Sequence, residues 1–375
     1  MQILAILTAL LALVGAVQQI LGASLTEFFC SQTPRSPTIK PGITILKPLC
    51  GVESLSETAL ESFFLLDYPV YQLVFGVQSN SDPILKTLSR LRARYPECDT
   101  ALMINDMAHG RNGKVSNLIN MTPLAKHEVL VISDADVHVP PYYLDRIVAA
   151  LEEPQTGLVT TLYTGLPGGA ELPARLGSAQ INQNFLPGAL LARRLGRQDC
   201  MGATMAIRKS VLAEIGGFTA LVNHLADDQV LGRLVRAAGY KISLARVVPA
   251  TTVPETSLSA LFGHELRWAR TIRALVPMAY AASVLQITLL WALLTVLISG
   301  FSIWSLLLML GIFAVRVVTA WRVEAALRLP RTGDVWLFLL RDFFSTIIYI
   351  ASFTGNRVDW RGQSMMADSG RPGPG

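Results

Sequence analysis

Two long stretches without a charged side chain set the first limit on how this chain can fold. Residues 1–26 hold no Asp, Glu, Lys, Arg or His, and the first charge is Glu27. Residues 274–315 are equally free of charge. A membrane helix needs about 20 apolar residues. The first run is therefore one span, and the second is two spans joined by a tight turn near Ser299 and Gly300. Composition agrees: 51% of residues are hydrophobic and only 16% charged, too apolar for an ordinary soluble domain. The rival for the first run is a cleaved signal peptide with Leu21-Gly-Ala-Ser24 as its small-residue site. No Lys or Arg precedes the run, which favours an anchor.

Arg35, Lys40 and Lys47 follow the first run, and Arg316, Arg322, Arg328 and Arg331 follow the second. Positive charge on that side places the intervening residues in the cytoplasm. Residues 335–353 are apolar apart from Arg341-Asp342, and read either as a further span with an internal ion pair or as a helix lying in the interface. The remainder, 355–375, is polar and ends in Gly and Pro, a disordered tail. The formal charge of +5 is not gathered into a basic block. That excludes a nucleic-acid partner and suits an anionic membrane surface. The four cysteines are scattered, so neither a zinc site nor a disulfide framework is expected.

Between the apolar runs the pattern changes. Residues 27–41 form a Pro-containing linker. From 42 onward short apolar, β-branched runs alternate with amphipathic ones, which predicts a mostly parallel sheet with helical crossovers. Strands are expected at 43–46, 71–77, 101–104, 129–132, 157–161, 200–207 and 241–244. Helices are expected at 55–66, 83–94, 115–121, 141–151 and 230–238. Residues 165–199, with Pro167, Pro173 and Pro187, read as an acceptor-side segment near the membrane.

The strand at 129–132 runs straight into Ser133-Asp-Ala-Asp136. Open α/β sheets bind ligands beyond the carboxyl ends of their strands. Asp134 and Asp136 there can grip a divalent cation, Mg²⁺ or Mn²⁺, and through it a diphosphate; an Asx turn leaving a strand is the plainer alternative. Asp82 follows another strand and can face the base or ribose of a nucleotide. Asp227 and Asp228 head a helix. Either can be a general base while the other caps the helix. His264-Glu-Leu-Arg-Trp-Ala-Arg-Thr-Ile-Arg273 is a basic helix just before the second uncharged run. Its Arg267, Trp268, Arg270 and Arg273 can clamp phosphate and stack on sugar or lipid, or simply anchor at the interface.

The order of these pieces resembles the membrane-bound, inverting glycosyltransferases of GT-A fold, and most closely the ceramide glucosyltransferase family. The pieces are Leu46-Lys-Pro-Leu-Cys-Gly-Val-Glu53, Asp67-Tyr-Pro69, Val77-Gln-Ser-Asn-Ser-Asp-Pro83, Gly113-Lys-Val-Ser-Asn-Leu118, Ser133-Asp-Ala-Asp136, Cys200-Met-Gly-Ala-Thr-Met205, Ala226-Asp-Asp228 and Leu266-Arg-Trp268. The resemblance implies a UDP-sugar donor, nucleotide contacts from Asp82, Lys114 and Asn117, and Asp228 as the base. It also implies a GT-A domain at 42–275, between an anchor at 1–26 and a membrane region at 276–354. His264 stands where the closing motif usually has Gln or Arg. Asn182-Gln-Asn-Phe-Leu-Pro187 stands where the ceramide enzymes carry a His. These departures are closer to the bacterial hopanoid-biosynthesis glycosyltransferases, which place N-acetylglucosamine on bacteriohopanetetrol. That variant implies UDP-GlcNAc as donor, a hopanoid lipid as acceptor, and the bacterial inner membrane with the catalytic domain facing the cytoplasm. Ceramide with UDP-glucose is the alternative, then a processive polysaccharide synthase, then a membrane scaffold without activity.

Overall fold

The computed structural model describes residues 1–360 and 363–366. The chain divides into two compact units, one formed by Thr33–Gly169 with Gly196–Pro254, the other by Met1–Gln32, Ala170–Leu195 and Glu255–Gly375. The expected single block at 42–275 is thus interrupted: residues 170–195 and 255–275 group with the apolar helices.

The first unit is an α/β sandwich. Its strands are β1 (Ile43–Pro48), β2 (Tyr71–Val77), β3 (Thr100–Ile104), β4 (Val129–Ser133), β5 (Val137–His138), β6 (Thr156–Thr160), β7 (Thr164–Pro167), β8 (Thr204–Arg208), β9 (Lys241–Leu244) and β10 (Ala250–Val253). Among the described residues seven of them form the main sheet, in the order β3-β2-β1-β4-β8-β6-β9. β1 to β4 pair in parallel, β8 runs antiparallel to both neighbours, and β6 and β9 are again parallel. All seven match expected strands.

The apolar runs are continuous because both faces are covered. Ile43, Ile45, Leu73, Phe75, Val129 and Val131 pack with Phe63, Leu88 and Ile147 on one face. Leu46, Val74, Leu130 and Ile132 pack with Val115, Leu118, Val230 and Leu231 on the other. At roughly 25 cal/mol per Å² of apolar surface removed from water, this two-faced burial is what fixes the strand ends in place. A second sheet, β5-β10-β7, was not anticipated. Its strands have two to four residues, too short to show periodicity.

The second unit is helical. Gln2–Ser31 and Ile303–Ala326 are long and apolar enough to cross a membrane. Pro277–Gln286 and Thr288–Ile298 form a third such segment only if counted together across a 63° bend. The turn expected after that segment is present, with Gly300 and Phe301 both at positive φ.

These helices are built inside out. Gln2–Ser31 buries Ala5, Thr8, Ala12, Gly15, Ala16 and Ala23 and exposes Ile3, Leu7, Leu10, Leu13 and Val17. Small residues inside and aliphatic ones outside is the pattern of helices surrounded by lipid. At Gly15 a Cβ would lie 2.1 Å from the Leu285 carbonyl, so only glycine permits that approach. Thr295 donates to Thr8 at 2.9 Å across the same pair of segments.

Two sequence expectations change here. Arg316 is not a flanking surface charge: it is 1% exposed and pairs with Asp342 at 3.3 Å. Arg341 and Asp342 do not pair with each other, because successive helical residues point apart. Arg341 instead makes a bidentate pair with Glu265, at 2.7 and 2.8 Å. Trp336–Ser352, which carries both, has 17 residues. Of the expected tail, Arg357–Trp360 pairs antiparallel with Gln363–Met366, and residues 361–362 and 367–375 lie outside the described residues.

Candidate active site

The site begins where β4 stops. Ser133 is its last residue, and Asp134 and Asp136 follow before β5. Lys114 stands opposite, in the first turn of the helix Gly113–Met121, whose N-terminus is capped by the Asn112 side chain accepting from Val115 N. Lys114 Nζ lies 2.6 Å from Asp134 Oδ1 and 3.5 Å from Asp227 Oδ2. One ammonium thus joins the acid at the strand end to the acid heading the helix Asp227–Ala237. Burial works against the charge on Lys114, but Asp134 and Asp227 outweigh it and hold the ammonium well above its ordinary range.

Asp228 is the second residue of that helix. Its Oδ1 accepts from Gln229 N at 2.7 Å, and Gln229 Nε2 donates to the Cys200 carbonyl at 2.6 Å, which draws the loop before β8 alongside. A Cβ at Gly202 would lie only 3.1 Å from Asp228 Oδ2. A helix N-terminus normally favours a carboxylate. Here burial, and then the charge of Asp227, push the Asp228 carboxyl up to about 7 despite Lys114.

Asp136 sits deeper. Thr251 of β10 donates to its Oδ2. Burial, then the neighbouring Asp134 charge, raise its carboxyl above the usual range. Lys47, the penultimate residue of β1, is 0% exposed and donates to the Asp134 carbonyl oxygen, with its ammonium 3.9 Å above the Phe63 ring. Burial lowers its amine to about 7 against the pull of Asp136 and Asp134. Lys47 was read as a charge flanking the first span. The missed signal was its place at the end of an apolar strand, directly before Pro48.

Asp134 and Asp136 are hard oxygen donors crowded enough to raise a carboxyl pKa, which is the setting a divalent cation relieves. Among the described residues no third His, Cys, Asp or Glu joins them. Two such carboxylates would suit a divalent cation, which they would hold together with ligands from outside the chain.

Other expected residues sit differently. The Asp82 carboxylate accepts from Gly51 N at 3.1 and 2.9 Å and from Ile84 N at 3.0 Å. It pins the loop after β1 to the loop after β2 while staying partly exposed. Asn117 is 3% exposed and donates to the Gly76 carbonyl at 2.8 Å. It tethers the Lys114 helix to β2, where a nucleotide contact had been expected. His264, Arg267, Trp268 and Arg270 belong to the other unit, on the helix Leu258–Leu275. His264 Nδ1 meets Glu255 and its ring packs edge-on to Trp268, with centroids 4.5 Å apart. Arg270 donates to the Arg357 carbonyl at 2.6 Å and Arg273 to Gly355 at 2.9 Å. Those two arginines tie down the chain at 355–357, a use the sequence did not suggest. Glu265, unremarked in the sequence, anchors this helix through Arg341, whose guanidinium also donates to the Leu176 carbonyl at 3.1 Å.

The profile of glycosyl transferase family 21 matches residues 5–372. The chain is 25% identical over 285 residues to ceramide glucosyltransferase 3 of Caenorhabditis elegans, a match covering 72% of this chain and 60% of that protein. It is 22% identical over 340 residues to ceramide glucosyltransferase 1 of the same organism, covering 87% and 71%. The chain therefore spans 60% of the length of the first of these relatives. In fold it is similar to a mannosyltransferase from Pyrobaculum calidifontis solved in complex with GDP-Man and Mn²⁺, with a TM-score of 0.55 at 17% identity over 94% of this chain and 99% of that one. With a family profile matching nearly its whole length, beside a GT-A-type sheet beneath the strand-end acids, the chain belongs to glycosyl transferase family 21.

Proposed function

We propose that the chain moves a sugar from a UDP-sugar donor to a hydroxyl of a membrane lipid, by a single displacement that inverts the anomeric centre. The observation that carries this reading is Asp228: a carboxyl pushed up to about 7, beside the Lys114 group at the strand ends. A general base works best when its pKa lies near the operating pH. Asp227 Oδ2 is engaged by the Lys114 ammonium at 3.5 Å, which favours Asp228 for the role.

In the proposed reaction Asp228 takes the proton of the acceptor hydroxyl as that oxygen bonds to the anomeric carbon. The bond from that carbon to the diphosphate breaks on the opposite face. Lys114 lies where it can balance the charge gathering on the leaving group, and Arg267 and Trp268 are proposed to clamp phosphate and sugar. Asp82 keeps its place as a nucleotide contact at the loop it pins. Asp134 and Asp136 are the proposed holders of Mg²⁺ or Mn²⁺, which when bound neutralises the diphosphate. Mn²⁺ accompanies GDP-Man in the Pyrobaculum mannosyltransferase.

For the acceptor we keep bacteriohopanetetrol, with UDP-GlcNAc as donor, on the strength of His264 and the 182–187 segment. Ceramide with UDP-glucose is the second reading, favoured by the names of the Caenorhabditis elegans relatives. The proposed location is a bacterial inner membrane with the catalytic unit facing the cytoplasm; Arg35, Lys40, Arg328 and Arg331 support that orientation, since Lys47 and Arg316 are buried. Incubating the purified protein with each donor and acceptor pair, followed by mass spectrometry of the lipids, tests the reading. A glycosylated hopanoid is expected. A glucosylated ceramide alone transfers the proposal to the second reading, and no lipid product with any pair refutes both.

A further inference from the structure

One buried side chain fastens the loop that leads into the Lys114 helix to the loop that leads into the Asp228 helix. Asn112 lies two residues before Lys114 and is 0% exposed. Its Oδ1 accepts from Val115 N at 3.1 Å and so caps the helix Gly113–Met121. Its Nδ2 donates to the His224 carbonyl at 2.8 Å, three residues before Asp227. Its backbone N–H donates to the Val222 carbonyl at 2.7 Å. Arg111 N adds a bond to Asn223 Oδ1 at 3.3 Å. At Gly110 a Cβ would fall 2.7 Å from Asn223 Oδ1 and 2.8 Å from Val222 Cγ1, so the two loops run in close contact.

The helix Asp227–Ala237 has no side-chain cap of its own. Its head is seated from two sides instead. Gln229 donates to the Cys200 carbonyl on one side, and Asn112 holds the chain just upstream on the other. The Lys114 contact to Asp227, at 3.5 Å, is longer than a good hydrogen bond and fixes no direction. Asn112 therefore uses the two ends of one carboxamide in two different elements. That task needs an acceptor for the cap and a donor for the far loop. Asp has no donor when ionised, and the Ser hydroxyl sits on a shorter stem.

We propose that Asn112 is a positioning residue that acts through Asp228. It holds the head of the Asp228 helix against the Lys114 helix, and so sets the base at its distance from the group that balances the leaving diphosphate. The cap to Val115 serves Lys114, and the bond to His224 serves Asp228. The proposal deepens the reading of Asp228 as general base and rests on it.

The experiment uses the full chain, with transfer measured on the donor and acceptor pair that the parent uses. Asn112→Ser and Asn112→Asp both keep a good helix cap and lose the donor to His224. A misplacement of about 1 Å can cost on the order of 10²-fold, so kcat is expected to fall about 10- to 100-fold in each variant. The KM for the donor and the thermal shift from UDP should stay unchanged, because Lys114 keeps its capped helix. In an Asp228→Asn background, Asn112→Ser is expected to lower the residual transfer by less than about twofold, since the base it positions is gone. Hydrogen exchange should rise at residues 224–230 and stay parental at 113–121. A near-parental kcat in both variants overturns the proposal. So does an equal loss in the Asp228→Asn background, which is what a general loosening of the fold would give. A parent that transfers sugar to no lipid refutes the proposed function instead. The exchange pattern then decides the clamp by itself, and unchanged protection at 224–230 overturns it.

Discussion

At the scale of single residues the chemistry turns on Lys114, which bridges Asp134 and Asp227. Lys114→Met leaves those two acids facing without a counter-charge. The expected result is a fall of about 10²-fold or more in kcat/KM, of the size seen when one electrostatic partner of a transition state is removed, with a weaker thermal shift from UDP. Unchanged kinetics would remove Lys114 from the site.

Asp228 gives a pH prediction with a definite sign. Its carboxyl is raised to about 7, so the base form dominates above that value and the protonated form below it. The kcat/KM of the free enzyme should therefore rise through pH about 7 and fall tenfold per unit below it. A profile flat over two units on either side would contradict the assignment. Excess chelator should stop transfer and Mn²⁺ or Mg²⁺ should restore it; full activity in chelator would end the proposed role of Asp134 and Asp136. The acids were legible in the sequence because Asp134 and Asp136 end a strand and Asp227 and Asp228 begin a helix, positions set by local pattern. Lys47 was not, since its burial depends on the neighbouring strands and on Phe63, which no local pattern reports.

At the scale of elements, the main strands could be read because each is an apolar run long enough to be covered on both faces. β5, β7 and β10 could not: they are held by one another and by Asp136, whose carbonyl accepts from Thr252 at 3.0 Å. The helix carrying Lys114 is seated on β2 through Gly76, where a Cβ would fall 2.4 Å from both Asn117 Oδ1 and Met121 Sδ. Gly76→Ala should lower stability by roughly 1–3 kcal/mol through overpacking, read as a drop in Tm. An unchanged Tm would show that the helix can withdraw from the sheet without cost.

At the scale of the molecule, the sequence located the apolar runs but not the bonds among the helices. Arg316, Asp342, Glu265 and Arg341 look like surface charges or an internal pair, and the partners that bury them lie 26 and 76 residues away in the chain. Arg341→Met would leave Glu265 buried without its partner. Breaking a buried pair from one side costs about 3–5 kcal/mol, so the thermal midpoint in detergent should fall by several degrees, with the helix bearing Arg267 and Trp268 losing protection from hydrogen exchange. A variant as stable as the parent would show that the pair does not hold that helix.

The central claim is that a carboxylate at the head of the helix Asp227–Ala237 deprotonates a lipid hydroxyl. Asp228→Asn keeps the shape and removes the base. Transfer to the lipid acceptor is measured alongside the thermal shift from UDP. Transfer should fall by about 10²–10⁴-fold while the UDP shift persists. A variant that transfers sugar at a near-parental rate would contradict the claim.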